Sequence, residues 1–167
     1  ASGLSPTPNW TDLGDQLGTN FGSAVGTAGD VNGDGFADVI VGAQAQGYDN
    51  GQTDKGRAFV FHGSASGLKP YPNWTAESDQ AYAWFGESVG TAGDVNGDGF
   101  ADVIVGAQYY DNGQTKEGRA FVFHGSASGL SPTPNWTAES DQAYAWFGYS
   151  VGTAGDVNGD GFADVIV

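Results

Sequence analysis

At 167 residues the chain has room for one domain with a sizeable core, and its 29 glycines point to many turns. Five basic residues against 20 acidic ones give a formal charge of −15, which opposes nucleic-acid phosphates and anionic membrane surfaces, so neither is expected as a partner. The absence of cysteine excludes disulfides, thiolate metal sites and a cysteine nucleophile, and no run of 18 apolar residues calls for membrane insertion.

The chain opens inside a repeat. Residues 1–20 carry "NWT" at 9–11, and the same triplet returns at 73–75 and 135–137. A first unit, 21–84, begins at Phe21-Gly22, passes through the acidic loop "DVNGDGFAD" (30–38) into "DVIVGAQ", then "GRAFVFHG" (56–63) and a "SASGL" linker, and reaches "NWTAESDQ" (73–80). A second unit, 85–146, repeats this order, and residues 147–167 hold the first half of a third. Asp30 to Asp94 is 64 residues and Asp94 to Asp156 is 62, the period of a whole supersecondary unit. No charged-then-apolar leader precedes the first unit, and because Ala1 falls within a repeat the chain reads as an excerpt.

Each unit contains four short runs rich in Val, Ile, Phe, Trp or Thr, bounded by Gly, Asn or Asp, and none shows a 3.6-residue period. The expected class is all-β, with strands A (from the FG pair), B ("DVIV"), C ("AFVF") and D ("NWT"). Strands B and C are continuously apolar, which suits burial on both faces. Four-stranded antiparallel sheets covered on both sides by their neighbours fit β-propeller blades better than a two-layer sandwich or a linear β-solenoid. The strand order reads D, then ABCD twice, then AB: residues 1–20 as strand D of a preceding blade, two full blades, and part of another. "DNGQ" at 49–52 and 111–114 carries the Asn-Gly pair of a hairpin and should join B to C. Open edges bearing "DVIV" would be sticky, so self-association or membership of a longer array is expected.

"FGESVGTAGDVNGDGFADVIVGAQ" (85–108) resembles the FG-GAP repeat, the unit of the integrin α-subunit propeller and of many bacterial secreted or surface proteins. The FG pair, the loop and the GA pair recur together, at Phe21-Gly22, Phe85-Gly86 and Phe147-Gly148. Gln44 and Gln108 stand where that family has proline, which should loosen one turn. The resemblance implies a non-catalytic binding or adhesion scaffold, structural Ca²⁺ in the loops, and ligand binding on the rim opposite them.

The loop also speaks for itself. Oxygen-bearing side chains fall at positions 1, 3, 5 and 9, and glycines at 4 and 6 let the backbone curl until they converge, an arrangement of hard ligands that suits Ca²⁺. The candidate ligands are Asp30, Asn32, Asp34, Asp38 and the carbonyl of Phe36; Asp94, Asn96, Asp98, Asp102 and that of Phe100; and Asp156, Asn158, Asp160, Asp164 and that of Phe162. An EF-hand would need glutamate at position 12, where Val41, Val105 and Val167 stand. The competing reading is a solvated Asp/Asn/Gly turn without metal. Weak extracellular Ca²⁺ sites, with dissociation constants of roughly 10⁻⁴–10⁻³ M, favour an extracellular or cell-surface setting.

If the loops join A to B, the opposite rim receives Tyr48, Asp49, Tyr82, Trp84, Tyr109, Tyr110, Asp111, Tyr144 and Trp146, a candidate site for a protein or glycan ligand. Trp84 and Trp146, beside the FG pairs, also fit simple packing between blades. His62 and His124 end strand C with no nucleophile placed against them and read as structural. "NWT" formally matches an N-glycosylation acceptor but reads as a strand-D packing motif. The leading function is a calcium-stabilised binding or adhesion scaffold; the alternative is a carbohydrate-binding lectin. An enzyme is disfavoured, because catalytic groups would break the repeat symmetry while Ser88 to Val105 is identical to Ser150 to Val167.

Overall fold

A computed structural model describes residues 5–14, 20–44 and 54–167. Among them the strands are β1 (Phe21–Gly29), β2 (Asp38–Ala43), β3 (Arg57–Phe61), β4 (Trp74–Glu77), β5 (Phe85–Gly93), β6 (Asp102–Ala107), β7 (Arg119–Phe123), β8 (Trp136–Glu139), β9 (Gly152–Gly155) and β10 (Asp164–Ile166). The described residues form two four-stranded antiparallel sheets, β1-β2-β3-β4 and β5-β6-β7-β8, and a two-stranded sheet of β9 and β10. The A, B, C, D order of each unit is therefore the observed order of each sheet. No described helix is long and apolar enough to cross a membrane.

The burial pattern follows from the composition of the strands. All six residues of β6 are buried, and Ala120, Phe121, Val122 and Phe123 of β7 are buried too, so these strands lack the alternation of a half-exposed sheet. One core spans both blades: Ile40 and Val60 of the first sheet join Val103, Val105, Phe121 and Phe123 of the second.

The glycines of the FG and GA pairs are explained by the junction. Gly42 lies against the Gly86 carbonyl of the next blade, and Gly106 against the Gly148 carbonyl. Parallel bridges Gly56↔Phe85 and Gly118↔Phe147 tie the same seam, with Phe85 N–H donating to Lys55 O at 3.0 Å. A Cβ at Gly106 would collide with the Gly148 carbonyl and the Ser88 hydroxyl. Overpacking of this kind costs about 1–3 kcal/mol. Gly106→Ala should lower stability by about that amount in urea melts, while Gly152→Ala, with open space at its Cβ, should stay within about 0.5 kcal/mol of the parent.

Tryptophan supplies the second element of the seam. Trp74 of β4 packs edge-on against Phe123 of the next blade at 4.9 Å and donates its indole N–H to Ser131 O at 2.8 Å. Trp10 repeats this against Phe61 at 5.0 Å, with Lys69 O at 3.2 Å. Trp10 thus occupies the place of a preceding blade's strand-D tryptophan. Residues 5–14 nevertheless form no strand.

Candidate functional site

Each acidic loop is folded by its own side chains. Asp30 accepts the N–H of Asp34 at 3.1 Å and of Gly35 at 2.8 Å, Asn32 Oδ1 accepts Asp34 N–H at 2.9 Å, and Asp34 accepts Phe36 N–H at 3.0 Å. The second and third loops repeat this: Asp94 and Asp156 each take three backbone N–H groups. These local bonds, led by that of Gly161, hold the Asp156 carboxyl below its ordinary value. Gly33 and Gly35 adopt φ of 71° and 86°, which glycine reaches without a steric cost.

The ninth residue behaves differently. Asp38 and Asp102 are fully buried. Asp38 accepts Val31 N–H at 2.9 Å and Gly63 N–H at 2.8 Å, and Asp102 accepts Val95 and Gly125 N–H, both at 2.8 Å. This carboxylate therefore pins the start of its loop to the end of strand C. Burial pushes its pKa up, against those two bonds and the nearby histidine. His62 Nδ1 lies 3.0 Å from Asn32 Nδ2, beside the loop.

The loops are also joined from blade to blade. Ala101 N–H donates to Asp30 O at 3.0 Å and Ala163 N–H to Asp94 O at 2.9 Å. Phe100 covers Gly33 so closely that a Cβ there would sit 2.6 Å from its ring. The rings at position 7 therefore serve the neighbouring loop, and the backbone carbonyl is what remains for a cation.

The donor chemistry of each loop fits a hard cation. Asp30, Asn32 and Asp34 offer oxygens on adjacent turns, and an oxygen that accepts one N–H keeps a second lone pair. Among the described residues, no three carboxylate or imidazole side chains converge as a ready-made cluster, because the position-9 carboxylate turns toward the backbone. Asp102→Asn would set an amide NH₂ against a buried N–H donor. It should cost about 2 kcal/mol in urea unfolding even in excess EGTA, whereas the cost of Asp98→Ala should largely vanish once the chelator is present. Equal stability of Asp102→Asn and parent in EGTA would overturn the pinning role.

At the opposite rim, Trp84 lies 4.4 Å from Tyr109, which lies 6.3 Å from Trp146, and Lys116 Nζ sits 4.3 Å above the Tyr109 ring. Trp84 and Trp146 adopt left-handed φ of 57° and 56°, and Tyr82 and Tyr144 φ of 61° and 59°. Such a conformation is rare for bulky side chains and marks a sharply turned loop. Tyr82, Tyr144 and Trp146 are exposed, as is Asp111. Tyr110 departs from this group: it is buried, and its hydroxyl donates to Asp79 at 3.1 Å. Tyr48 and Asp49 lie outside the described residues. The sequence reading missed the pinning role of Asp38 and Asp102, whose signal is the same Asp immediately before "VIV" in every unit.

The FG-GAP repeat pattern matches residues 21–61, 85–123 and 147–167. The chain is 32% identical over 158 residues to integrin alpha-4 of Xenopus laevis, covering 92% of this chain and 15% of that protein. It is 33% identical over 167 residues to integrin alpha-IIb of Mus musculus, again 92% and 15%. With integrin alpha pat-2 of Caenorhabditis briggsae the identity is 35% over 175 residues, 93% of this chain and 14% of the relative. The chain thus spans about one-seventh of the length of these relatives.

Proposed function

The chain belongs to the FG-GAP repeat family, and on that premise we propose that it is a non-catalytic binding or adhesion scaffold, stabilised by Ca²⁺ in its acidic loops and presented outside the cell. Its ligand is a protein that docks on the rim opposite those loops. One observation carries the reading. Blades 21–84 and 85–146 are nearly identical, and among the described residues most of their differences fall toward that rim: Ser23 against Glu87, Ala24 against Ser88, and Asp54-Lys55 against Lys116-Glu117. A repeat that holds its core fixed and varies one rim concentrates its chemical individuality where a partner can touch it.

Two further features support it. Exposed Tyr144, Tyr149 and Trp146 beside Asp111 and Asp141 give the rim the aromatic anchors and polar surround of a protein interface. The acidic loops sit at the other end of every strand A, where bound Ca²⁺ would offset crowded charge without blocking the rim. The test is capture of purified extracellular-matrix proteins by the immobilised chain in millimolar Ca²⁺. Binding of at least one such protein is expected, with a loss of tenfold or more in Tyr144→Ala/Trp146→Ala, since anchor truncations typically cost more than about 1–2 kcal/mol. Capture of none, or capture unaffected by the double substitution, would refute the rim as the site.

A further inference from the structure

The described residues include the Asn-Gly pairs Asn32-Gly33, Asn96-Gly97 and Asn158-Gly159 in the acidic loops, and Asn112-Gly113 in the turn between β6 and β7. In any such pair the glycine nitrogen stands beside the asparagine amide carbon with no side chain to shield it, so it can attack that carbon and expel the amide nitrogen. How the fold holds the glycine nitrogen decides the rate. We propose that Asn112 is a site of spontaneous deamidation, set apart from the three loop asparagines by its surroundings, and that the reaction adds negative charge to the rim as the protein ages.

In the loops the attacking nitrogen is engaged or covered. Gly97 N–H donates to Asp94 and Gly159 N–H to Asp156, both at 2.7 Å, so removing either proton would break a charge-assisted bond and set an anion against a carboxylate. The ring of Phe100 closes over Gly33, where an added Cβ would lie 2.6 Å from it. The amides are held as well. Asn32, Asn96 and Asn158 each accept the N–H two residues on through Oδ1, at 2.9, 2.9 and 2.8 Å.

At Asn112 the reverse holds. Asn112 N–H and Gln114 N–H both donate to the buried Glu117 carboxylate, the second at 3.4 Å, which fixes the turn on either side of Gly113. Gly113 N–H itself donates to nothing among the described residues. Residues 111–115 are exposed, and a Cβ at Gly113 would meet no atom within 4 Å. Asn112 Nδ2 donates to Glu139 Oε1 at 2.7 Å, so a carboxylate stands where the leaving nitrogen collects its proton.

The chemistry needs only water. Gly113 N, having lost its proton to water, bonds to Asn112 Cγ; the Cγ–Nδ2 bond breaks and Nδ2 leaves as ammonium. Water then opens the cyclic imide at Cγ, giving an aspartyl residue, or at the Asn112 backbone carbonyl, giving an isoaspartyl residue. The sum is amide plus water to carboxylate plus ammonium. The new carboxylate then faces Glu139 where a donor had met an acceptor, and the turn loses its tie to β8.

The inference needs no rim ligand and is tested without one. The whole chain is aged in millimolar Ca²⁺ at mildly alkaline pH, beside a sample kept unfolded in urea, and each asparagine is followed by tandem mass spectrometry of proteolytic fragments. In the folded chain Asn112 should deamidate at least about tenfold faster than Asn32, Asn96 or Asn158, a barrier difference of about 1.4 kcal/mol. In urea these rates should converge, because without the fold every glycine nitrogen is equally open. Aspartyl and isoaspartyl products should both appear at 112, since the imide opens on either side. An Asn112 amide that lasts as long as those of the loops, or a rate ratio that persists in urea, would overturn the proposal. An aspartyl product alone would mean direct hydrolysis without Gly113 and overturn it equally.

Discussion

Excess EGTA should lower the melting temperature of this chain by about 10 °C or more, and excess Ca²⁺ added afterwards should restore it. The expectation follows from charge. Each described loop gathers three aspartates within nine residues: Asp30, Asp34 and Asp38 in the first, Asp94, Asp98 and Asp102 in the second. The folded state keeps Asp34 near Asp38 and Asp98 near Asp102, whereas the unfolded chain lets these charges separate. Against this stands the backbone network, since Asp30 and Asp34 are each bonded by loop N–H groups. Exposed bonds of that kind contribute only about 0.5–1.5 kcal/mol each. A cation that binds only the folded loop adds RT ln(1 + [L]/Kd), about 2.7 kcal/mol per site at a hundredfold excess over Kd. Three sites would together rival the whole stability of a small domain, about 5–15 kcal/mol. Mg²⁺ should rescue the EGTA-treated chain poorly, because it demands a smaller and stricter octahedron than these loops offer. Superimposable melts in Ca²⁺ and EGTA would leave the loops as self-bonded acidic turns.

The blade-to-blade bonds extend the consequence beyond one loop. Asp30 O receives the N–H of Ala101, and Asp94 O that of Ala163, so a loop that loses its shape also removes an acceptor from its neighbour. The central loop, Asp94 to Asp102, is bonded on both sides. Asp98→Ala should therefore reduce the Ca²⁺-dependent gain more than the corresponding change at Asp160, whose loop makes one such inter-loop bond among the described residues.

Much of this architecture was legible in the sequence because the repeat states it more than once. The order of strands A to D and the double-sided burial of "DVIV" and "AFVF" needed only composition and period, and the sheets follow them. What was not legible depends on partners distant in the chain or on the direction of one side chain. Asp38 looks like one more loop oxygen until Gly63, 25 residues away, is seen bonded to it. Tyr109 and Tyr110 are adjacent and chemically alike. One joins the rim beside Trp84 and the other turns inward to Asp79, because the chain turns at Gln108–Tyr109 just past β6, with Tyr110 N–H bonded back to Ala107 O at 3.1 Å. The glycines of the FG and GA pairs declared a need for space, and the carbonyl filling that space belongs to the next blade.

The same dependence on the next blade makes the strand-D tryptophans the sharpest test of the seam. Trp74→Ala should destabilise the chain by about 3–5 kcal/mol, the range for truncating a large buried aromatic, whereas Trp136→Ala should change it by less than about 1 kcal/mol. The two residues occupy equivalent places in β4 and β8, in identical "NWTAESDQAYAW" segments. Local propensity and intrablade pairing are therefore matched, with Trp74 opposite Val60 and Trp136 opposite Val122. Their surroundings differ in one respect. Trp74 is 8% exposed, stacked edge-on to Phe123 and bonded to Ser131 O, and Trp136 is 43% exposed. Losing Trp74 removes apolar burial, an aromatic pair worth about 0.5–1.5 kcal/mol, and the donor that satisfied a seam carbonyl. Trp74→Phe separates these contributions: it keeps most of the ring and should recover about half of the loss while leaving Ser131 O without its indole donor. Urea unfolding of the three variants in Ca²⁺, followed by circular dichroism, measures all of them. Equal losses in Trp74→Ala and Trp136→Ala would mean that each tryptophan acts within its own blade and that the seam is held by the glycine-backed FG contacts alone.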